Sequence, residues 1–318
     1  MPALPVDPED TRTAAGSRRL TERFYRQLRR EVWDGNPGLD DAGQALLRSH
    51  YPVMMAPERY PPPLVTTIYV ERRAPAVAAV AGVEAPAVFD AGCGYGSESF
   101  LFAALGAEVL AVDLAPEQIA VARARRGYWE EVFGRRLEIT FRAANLDGYD
   151  PELRHLSLTW LSSVLAAVPD QAGFLRRVHA ATRPGGAVMI TDMNLWNPLF
   201  LYKEWRRRRR AATRHPELRQ RLDFAAMVRR RGRRGAIYHP GADGEGGSFD
   251  DAQFFTPGTL SRLLRECGFA PGRPAFSGFA PPMPEAPGLG ALERLLARAP
   301  LLRRGGYFYR LTGRRGER

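Results

Sequence analysis

The hydrophobic positions of this chain change period along its length. Leu20, Phe24, Leu28 and Val32 recur at helical spacing across Ser17–Trp33, with basic residues between them. Gly35–Gly38 interrupts that pattern, a shorter helical piece covers Asp40–Ser49, and a third helix is predicted over Thr66–Ala81. Period then gives way to continuous apolar runs. Ala87–Phe89 and Val109–Val112 read as strands buried on both faces, as in parallel sheets, and strand and helix go on alternating up to Met189–Thr191. Between them lie helices over Glu98–Leu105, Glu117–Trp129 and Ala172–Ala181. Pro116 suits the first turn of the second, and Arg183-Pro-Gly-Gly stops the third. The chain closes with a helix inside Phe254–Gly268, a strand at Pro271–Ala280, a short helix at Leu289–Arg298 and a strand from Tyr307.

The candidate chemistry sits where the first strand ends. Asp90 is followed by three alternate glycines, Gly92, Gly94 and Gly96, with Cys93 inside the turn. The second strand ends in another acid, Asp113. A chain that turns at once from a strand into a helix needs backbone angles glycine tolerates, and a ligand can lie against a backbone without Cβ. In an open α/β sheet, ligands sit outside the carboxyl ends of the strands. Two adenosine ligands compete for this pattern. A dinucleotide favours Gly-x-Gly-x-x-Gly, but here the third glycine comes one residue early and Ser97 stands in its place. Asp90 would repel a pyrophosphate, and it suits the cationic amine of S-adenosylmethionine. Asp113 fits the ribose hydroxyls of either ligand.

These motifs resemble the class I S-adenosylmethionine-dependent methyltransferases of the small-molecule branch. Asp90-Ala-Gly-Cys-Gly-Tyr-Gly matches the first motif and Val-Asp113-Leu-Ala-Pro the second. Ile139-Thr-Phe-Arg-Ala-Ala-Asn145-Leu146 is similar to the third strand with its adenine turn. Arg183-Pro-Gly-Gly-Ala-Val-Met-Ile is similar to the turn into the fifth strand. The resemblance implies a Rossmann-like, doubly wound, seven-stranded sheet whose last strand is antiparallel, with N-terminal helices and a helical insertion after the fifth strand. It implies S-adenosyl-L-methionine as cofactor, held by Asp90, Gly92, Cys93, Gly94, Gly96, Asp113, Leu114, Asn145, Leu146 and Ser162. The N-terminal helices would cover the cofactor, with Tyr51, Tyr60 and Tyr69 as lid residues. Tyr69, Asn194, Trp196 and Tyr202 are the acceptor-side candidates, and Asp192 is the general-base candidate, with a helix cap as its structural alternative. Two positions depart from the family pattern. Asn145 replaces an acid, and Ala166-Ala167 stands where many relatives carry Glu-His.

Direct displacement at an activated methyl group asks the protein mainly to align the reactants. The expected activity is methyl transfer to an oxygen, nitrogen or carbon of a small, partly apolar acceptor such as a lipid, quinone, sugar or secondary metabolite. The alternatives are an NAD(P)-dependent oxidoreductase, an RNA methyltransferase and a non-catalytic S-adenosylmethionine-binding protein.

Charge and composition refine this reading. Lys+Arg number 46 against 35 Asp+Glu, a net charge of +11, and Lys203 is the sole lysine. A GC-rich bacterial coding sequence accounts for that bias, and so does an anionic partner. Both cysteines stand far apart, which argues against a disulfide and a metal site. No apolar run reaches the roughly 18 residues of a membrane span, and Met1–Gly16 lacks a leader's apolar core, so a cytoplasmic location is expected. The expected organisation is a loose tail over 1–16, a helical lid over 17–82, a cofactor core over 83–193, an insertion over 194–251 and the rest of the sheet over 252–318. The insertion reads as two helices and a loop at His239–Ser248. It holds aromatic residues beside arginine clusters at Arg206–Arg210 and Arg229–Arg234. It serves as a pocket cap, as a contact for a membrane surface or anionic substrate, or, least of the three, as a nucleic-acid contact.

Overall fold

The computed structural model describes residues 4–51, 69–195, 197–214, 216, 219, 223–226, 236–240, 251–279, 295–296 and 302–317. The core strands are β1 (Ala87–Ala91), β2 (Glu108–Asp113), β3 (Ile139–Ala143), β4 (Leu156–Ser162) and β5 (Thr182–Met193). They pair in parallel in the order β3-β2-β1-β4-β5, and β10 (Phe308–Arg315) joins β5 antiparallel. Strand order reverses at β1, which lies between β2 and β4, so the ligand crevice of such a sheet opens at the carboxyl ends of β1 and β4.

Among the described residues the sheet has eight strands, against the expected seven. The sixth strand is broken into β8 (Phe269–Pro271) and β9 (Ala275–Ser277), each pairing with β10. Between them lies Gly272-Arg273-Pro274, and proline has no N–H to continue the ladder.

Side chains alternate across the sheet and fill two cores. Val88, Val109 and Trp160 face one layer; Phe89, Leu110 and Leu161 face the other. The first layer holds α5 (Ser97–Ala104) and α6 (Pro116–Phe133), and the second α7 (Gln171–Ala181) and α9 (Pro257–Glu266). The amino-terminal helices α2 (Ala14–Asp34), α3 (Asp41–His50) and α4 (Glu71–Val80) belong to the first layer. Leu20, Phe24, Leu28 and Val32 are fully buried, and the Phe24 ring lies 4.6 Å from that of Trp129.

The amino-terminal segment is not a loose tail from residue 4 onward. Leu4 donates its N–H to Val132 O at 2.7 Å, and α1 (Pro8–Arg12) follows. Asp10 is buried, pairs with Arg23, and its carbonyl accepts from Ser17 Oγ at 3.1 Å. A five-residue helix of polar composition has no periodicity to betray it; its partners supply the reason for its burial.

The insertion opens with α8 (Pro198–Arg214), as the aromatic–basic pattern suggests. Residues 224–226 are helical too, and further along β6 (Ala236–Pro240) pairs antiparallel with β7 (Asp251–Phe255), a ribbon the sequence pattern does not signal. The Arg229–Arg234 cluster, Tyr60, Trp196, most of the His239–Ser248 loop and all but two residues of Leu289–Arg298 lie outside the described residues. No helix among the described residues is long and apolar enough to cross a membrane.

Candidate functional site

The turn after β1 is sewn to the tip of β2. Gly92 and Cys93 both donate N–H to Val112 O, at 2.7 and 3.0 Å. The three glycines have φ of +75°, +53° and +76°, in the region that disfavours any side chain. Packing closes the same option: a Cβ on Gly92 would lie 2.1 Å from Val164 Cγ2, and one on Gly96 2.8 Å from Phe141 Cε1.

Asp113 stands beside this turn and is oriented by it. Its Oδ2 accepts from Gly94 N at 2.8 Å and its Oδ1 from Ala115 N at 3.0 Å. A carboxylate has about four acceptor sites, so two remain for a ligand's hydroxyls. Leu114, the next residue, is 51% exposed although apolar. On the neighbouring strand tip, Ala144 N donates to Asp113 O at 2.8 Å, which brings Asn145 and Leu146 alongside. Leu146 is buried; Asn145 is exposed and accepts from Asp147 N at 3.0 Å. A diol acceptor flanked by an apolar face on Leu114 and an amide on Asn145 fits the ribose and base of a nucleoside.

Asp90 lies beneath the turn, buried, with Ser99 Oγ donating to Oδ2 at 2.6 Å. Burial, aided by Glu98, pushes its carboxyl up to about 8. Such a group gains from a cationic ligand that restores its charge. Cys93 is buried, and burial raises its thiol well above the usual range, so its sulfur is inert.

The amino-terminal layer grips the other side of the turn. Glu98, in the first turn of α5, accepts from Tyr25 Oη and from Arg73 Nε, each at 2.7 Å. Tyr51 Oη donates to Ser97 Oγ at 2.7 Å, and the His50 ring lies 4.7 Å from that of Tyr95. Arg125 reaches the Tyr95 carbonyl and, at 3.1 Å, Ser97 Oγ, while Glu31 holds its other nitrogens at 2.8 and 2.7 Å. Tyr51 and Tyr69 thus stand in a packed wall: the Tyr69 ring lies 5.1 Å from Tyr25, with the Arg73 guanidinium 5.1 Å from its centroid.

The acceptor-side candidates separate. Ser162 ends β4, and Asp192 is buried near the end of β5 with one oxygen accepting from Met193 N at 2.7 Å. Burial pushes Asp192 up to about 7, against the Met193 N–H and Arg72, which pull the other way. Asn194 is fully buried. Its amide donates to Arg304 O and Gly306 O at 2.7 and 2.8 Å, tying the start of the insertion to the segment just before β10. Tyr202 is 52% exposed on the outer side of α8, stacked with Trp205. Helical periodicity cannot say which way an inserted helix turns; here its Glu204 and Arg208 point inward and pair with each other.

Three groups at this site carry no motif: Arg72, Arg73 and the Glu31–Arg125 pair. Arg72 is buried, donating Nε to Thr191 Oγ1 at 2.9 Å. The one sequence signal for it is two adjacent arginines after Glu71 in a helix whose remainder is alanine, valine and Pro75.

Comparison with known proteins agrees with this geometry. A family profile described as a methyltransferase domain matches residues 89–188. Among curated proteins, the chain is similar to a ubiquinone biosynthesis O-methyltransferase of Methylocella silvestris, 36% identical over 107 residues, which covers 34% of this chain and 40% of that protein. It is also similar to one of Bradyrhizobium, 29% identical over 126 residues, covering 39% and 45%. The match spans less than half the length of these relatives. A solved structure of a SAM-dependent methyltransferase from Methanosarcina mazei has the same fold, with a TM-score of 0.50 over 74% of this chain and 95% of that one at 14% identity. Over residues 89–188 the chain is thus similar to methyltransferase domains, on a fold shared with a SAM-dependent methyltransferase.

Proposed function

We propose that the chain transfers a methyl group from S-adenosylmethionine to an oxygen of a small, partly apolar acceptor. The observation that carries this is Asp90, a buried carboxyl at the tip of β1 directly before the glycine turn. A dinucleotide would set its pyrophosphate there; an ammonium is the group such a carboxyl favours. Asp113 takes the ribose, and Leu114, Asn145 and Leu146 take the base. When bound, S-adenosylmethionine supplies an activated methyl group. The protein's part is to align the acceptor oxygen with it and keep water out. The acceptor lies over the ends of β4 and β5, where Asp192 removes its proton; a base near neutrality suits an acidic hydroxyl such as a phenol. Oxygen as the methylated atom follows the names of the curated relatives.

Calorimetry with S-adenosylmethionine and NADH tests the cofactor. Tight NADH binding with no S-adenosylmethionine binding refutes the proposal in favour of an oxidoreductase. Transfer of labelled methyl to a panel of phenols, catechols and quinols tests the acceptor; cofactor binding with no transfer to any extract or to RNA points to a non-catalytic binder.

We also propose that α8 rests on an anionic lipid surface, from which an apolar acceptor can be drawn. Its outer face carries Lys203, Arg206, Arg209 and Arg210, all exposed, beside Tyr202 and Trp205, and its one acid is buried against Arg208. Aromatic and basic residues on one helix face suit the headgroup region. Flotation with phosphatidylglycerol vesicles but not phosphatidylcholine vesicles is expected, with loss in Trp205→Ala and at high salt. No flotation, or binding to RNA alone, refutes it.

A further inference from the structure

Gly94 differs from the two glycines beside it. A Cβ on Gly92 or Gly96 would run into packed hydrocarbon. One on Gly94 would find, among the described residues, only Gln118 Oε1 at 3.3 Å and His50 Cε1 at 3.9 Å. The space over Gly94 is therefore open and polar-walled. The Gln118 amide borders it from α6 and the His50 imidazole from α3, while the Asp113 carboxylate holds the Gly94 N–H at 2.8 Å.

His50 is the last residue of α3 and is exposed. Two edge-on contacts set its ring, 4.6 Å from the Tyr51 centroid and 4.7 Å from that of Tyr95. Both partners are tied to the glycine turn: Tyr51 Oη donates to Ser97 Oγ at 2.7 Å, and Arg125 holds the Tyr95 carbonyl. The imidazole is thus fixed relative to Gly94. Packing between two tyrosines calls for a ring but not for its nitrogens, and among the described residues neither nitrogen has a hydrogen-bond partner. A histidine in a last helical turn can also serve the helix dipole, but only as a cation. Here withdrawal of part of the ring from water lowers its pKa, Arg125 and Arg73 act the same way, and Glu98 and Asp113 oppose them. The imidazole is then neutral near pH 7 and offers one donor and one acceptor.

That chemistry complements Asp113. A carboxylate only accepts, so hydroxyls bound to it spend their protons on it and keep oxygens that still lack a donor. An imidazole N–H across the open face of Gly94 supplies one. We propose that His50 is a ribose-binding residue of the cofactor site, donating to a hydroxyl whose own proton goes to Asp113. It brings to the nucleoside side a residue from the amino-terminal layer, outside the matched span of 89–188. The inference deepens the methyltransferase reading and rests on it.

The test is equilibrium binding of S-adenosylhomocysteine and its 2′-deoxy and 3′-deoxy analogues to wild type, His50→Phe and His50→Ala. Phenylalanine keeps the ring between Tyr51 and Tyr95 and removes the nitrogens. His50→Phe should bind S-adenosylhomocysteine about fivefold more weakly than wild type, the worth of one hydrogen bond. That loss should vanish for the deoxy analogue that lacks the contacted hydroxyl. His50→Ala reads the same coupling and serves if the phenylalanine variant does not fold. An equal loss for all three ligands makes His50 a packing residue and overturns the proposal. No loss for any ligand, or wild type that binds S-adenosylhomocysteine and both analogues alike, overturns it too. Wild type that does not bind S-adenosylhomocysteine refutes the methyltransferase reading instead.

Discussion

Replacing Glu31 with alanine should cost about 3–5 kcal/mol of stability. Glu31 is fully buried and satisfies four donors at once. Its Oε1 accepts from Arg125 Nε at 2.8 Å and Asn36 Nδ2 at 2.6 Å; its Oε2 accepts from Arg125 Nη2 at 2.7 Å and Trp129 Nε1 at 3.0 Å. Alanine leaves the Arg125 guanidinium, also fully buried, without a counter-charge, and each orphaned donor adds its own desolvation cost. That loss is a large part of the roughly 5–15 kcal/mol that holds a domain together. Urea unfolding followed by Trp fluorescence measures it. Removing both charges tells the penalty of a stranded ion apart from lost packing. Glu31→Leu with Arg125→Met should recover most of the loss, because apolar replacement of a buried pair is often near neutral. The double variant should still bind S-adenosylmethionine more weakly, since Arg125 also holds the Tyr95 carbonyl and Ser97 beside the glycine turn. A single variant that loses less than about 1 kcal/mol, or a double variant no better than the single, refutes the reasoning.

Five further outcomes follow from the same geometry. Asp113→Ala should weaken S-adenosylmethionine binding by about 1–3 kcal/mol in calorimetry, because the ribose acceptor goes and the Gly94 and Ala115 N–H groups lose theirs. Asp90, raised to about 8 when folded and ordinary when unfolded, favours the folded protein at low pH; that contribution is lost as pH rises from about 4 through 8, so apo stability falls over that window. A bound ammonium pulls Asp90 down, so cofactor affinity should rise with pH over the same window with release of a proton, and Asp90→Asn should flatten it; calorimetry in buffers of different ionisation heat reads both. Asp192, raised to about 7, acts only when ionised, so kcat/KM should climb through about pH 7 and level off, and Asp192→Asn should remove that limb along with most of kcat. Gly92→Ala should cost about 2–5 kcal/mol in urea unfolding, since a Cβ at a φ of +75° also meets Val164 at 2.1 Å.

The parts legible in the sequence are those whose cause is local. A strand buried on both faces has to be a continuous apolar run, so β1, β2 and β4 announce themselves at Ala87, Val109 and Leu156. The glycine turn is also local, since Gly92 and Gly96 are dictated by backbone angles within a few residues of Asp90. What escaped depends on a partner far along the chain. Nothing in Pro8–Arg12 tells of Val132 or Arg23, yet those contacts hold the amino-terminal segment down. The β6–β7 ribbon joins segments ten residues apart, and neither Ala-Ile-Tyr-His-Pro nor Asp-Ala-Gln-Phe-Phe alternates cleanly. The place of Asn194 after β5 and the aromatic run around Tyr202 suggest a pocket role. Their orientation is set instead by the carbonyls of Arg304 and Gly306 and by the inward Glu204–Arg208 pair.

The two halves of the crevice differ in the same way, and that difference limits what similarity can carry. Asp90, the glycines, Asp113, Asn145 and Leu146 all fall inside the matched span of 89–188. The other half is assembled from Arg72 on α4, Thr191 and Asp192 on β5 and Phe308 on β10, and every one of these lies outside that span. A substitution among these four can change charge and shape around the acceptor without disturbing the nucleoside side, because no hydrogen bond among the described residues joins them to Gly92–Gly96 or Asp113. Those nucleoside-side residues are therefore covered by the family match, whereas Arg72, Thr191, Asp192 and Phe308 lie outside it.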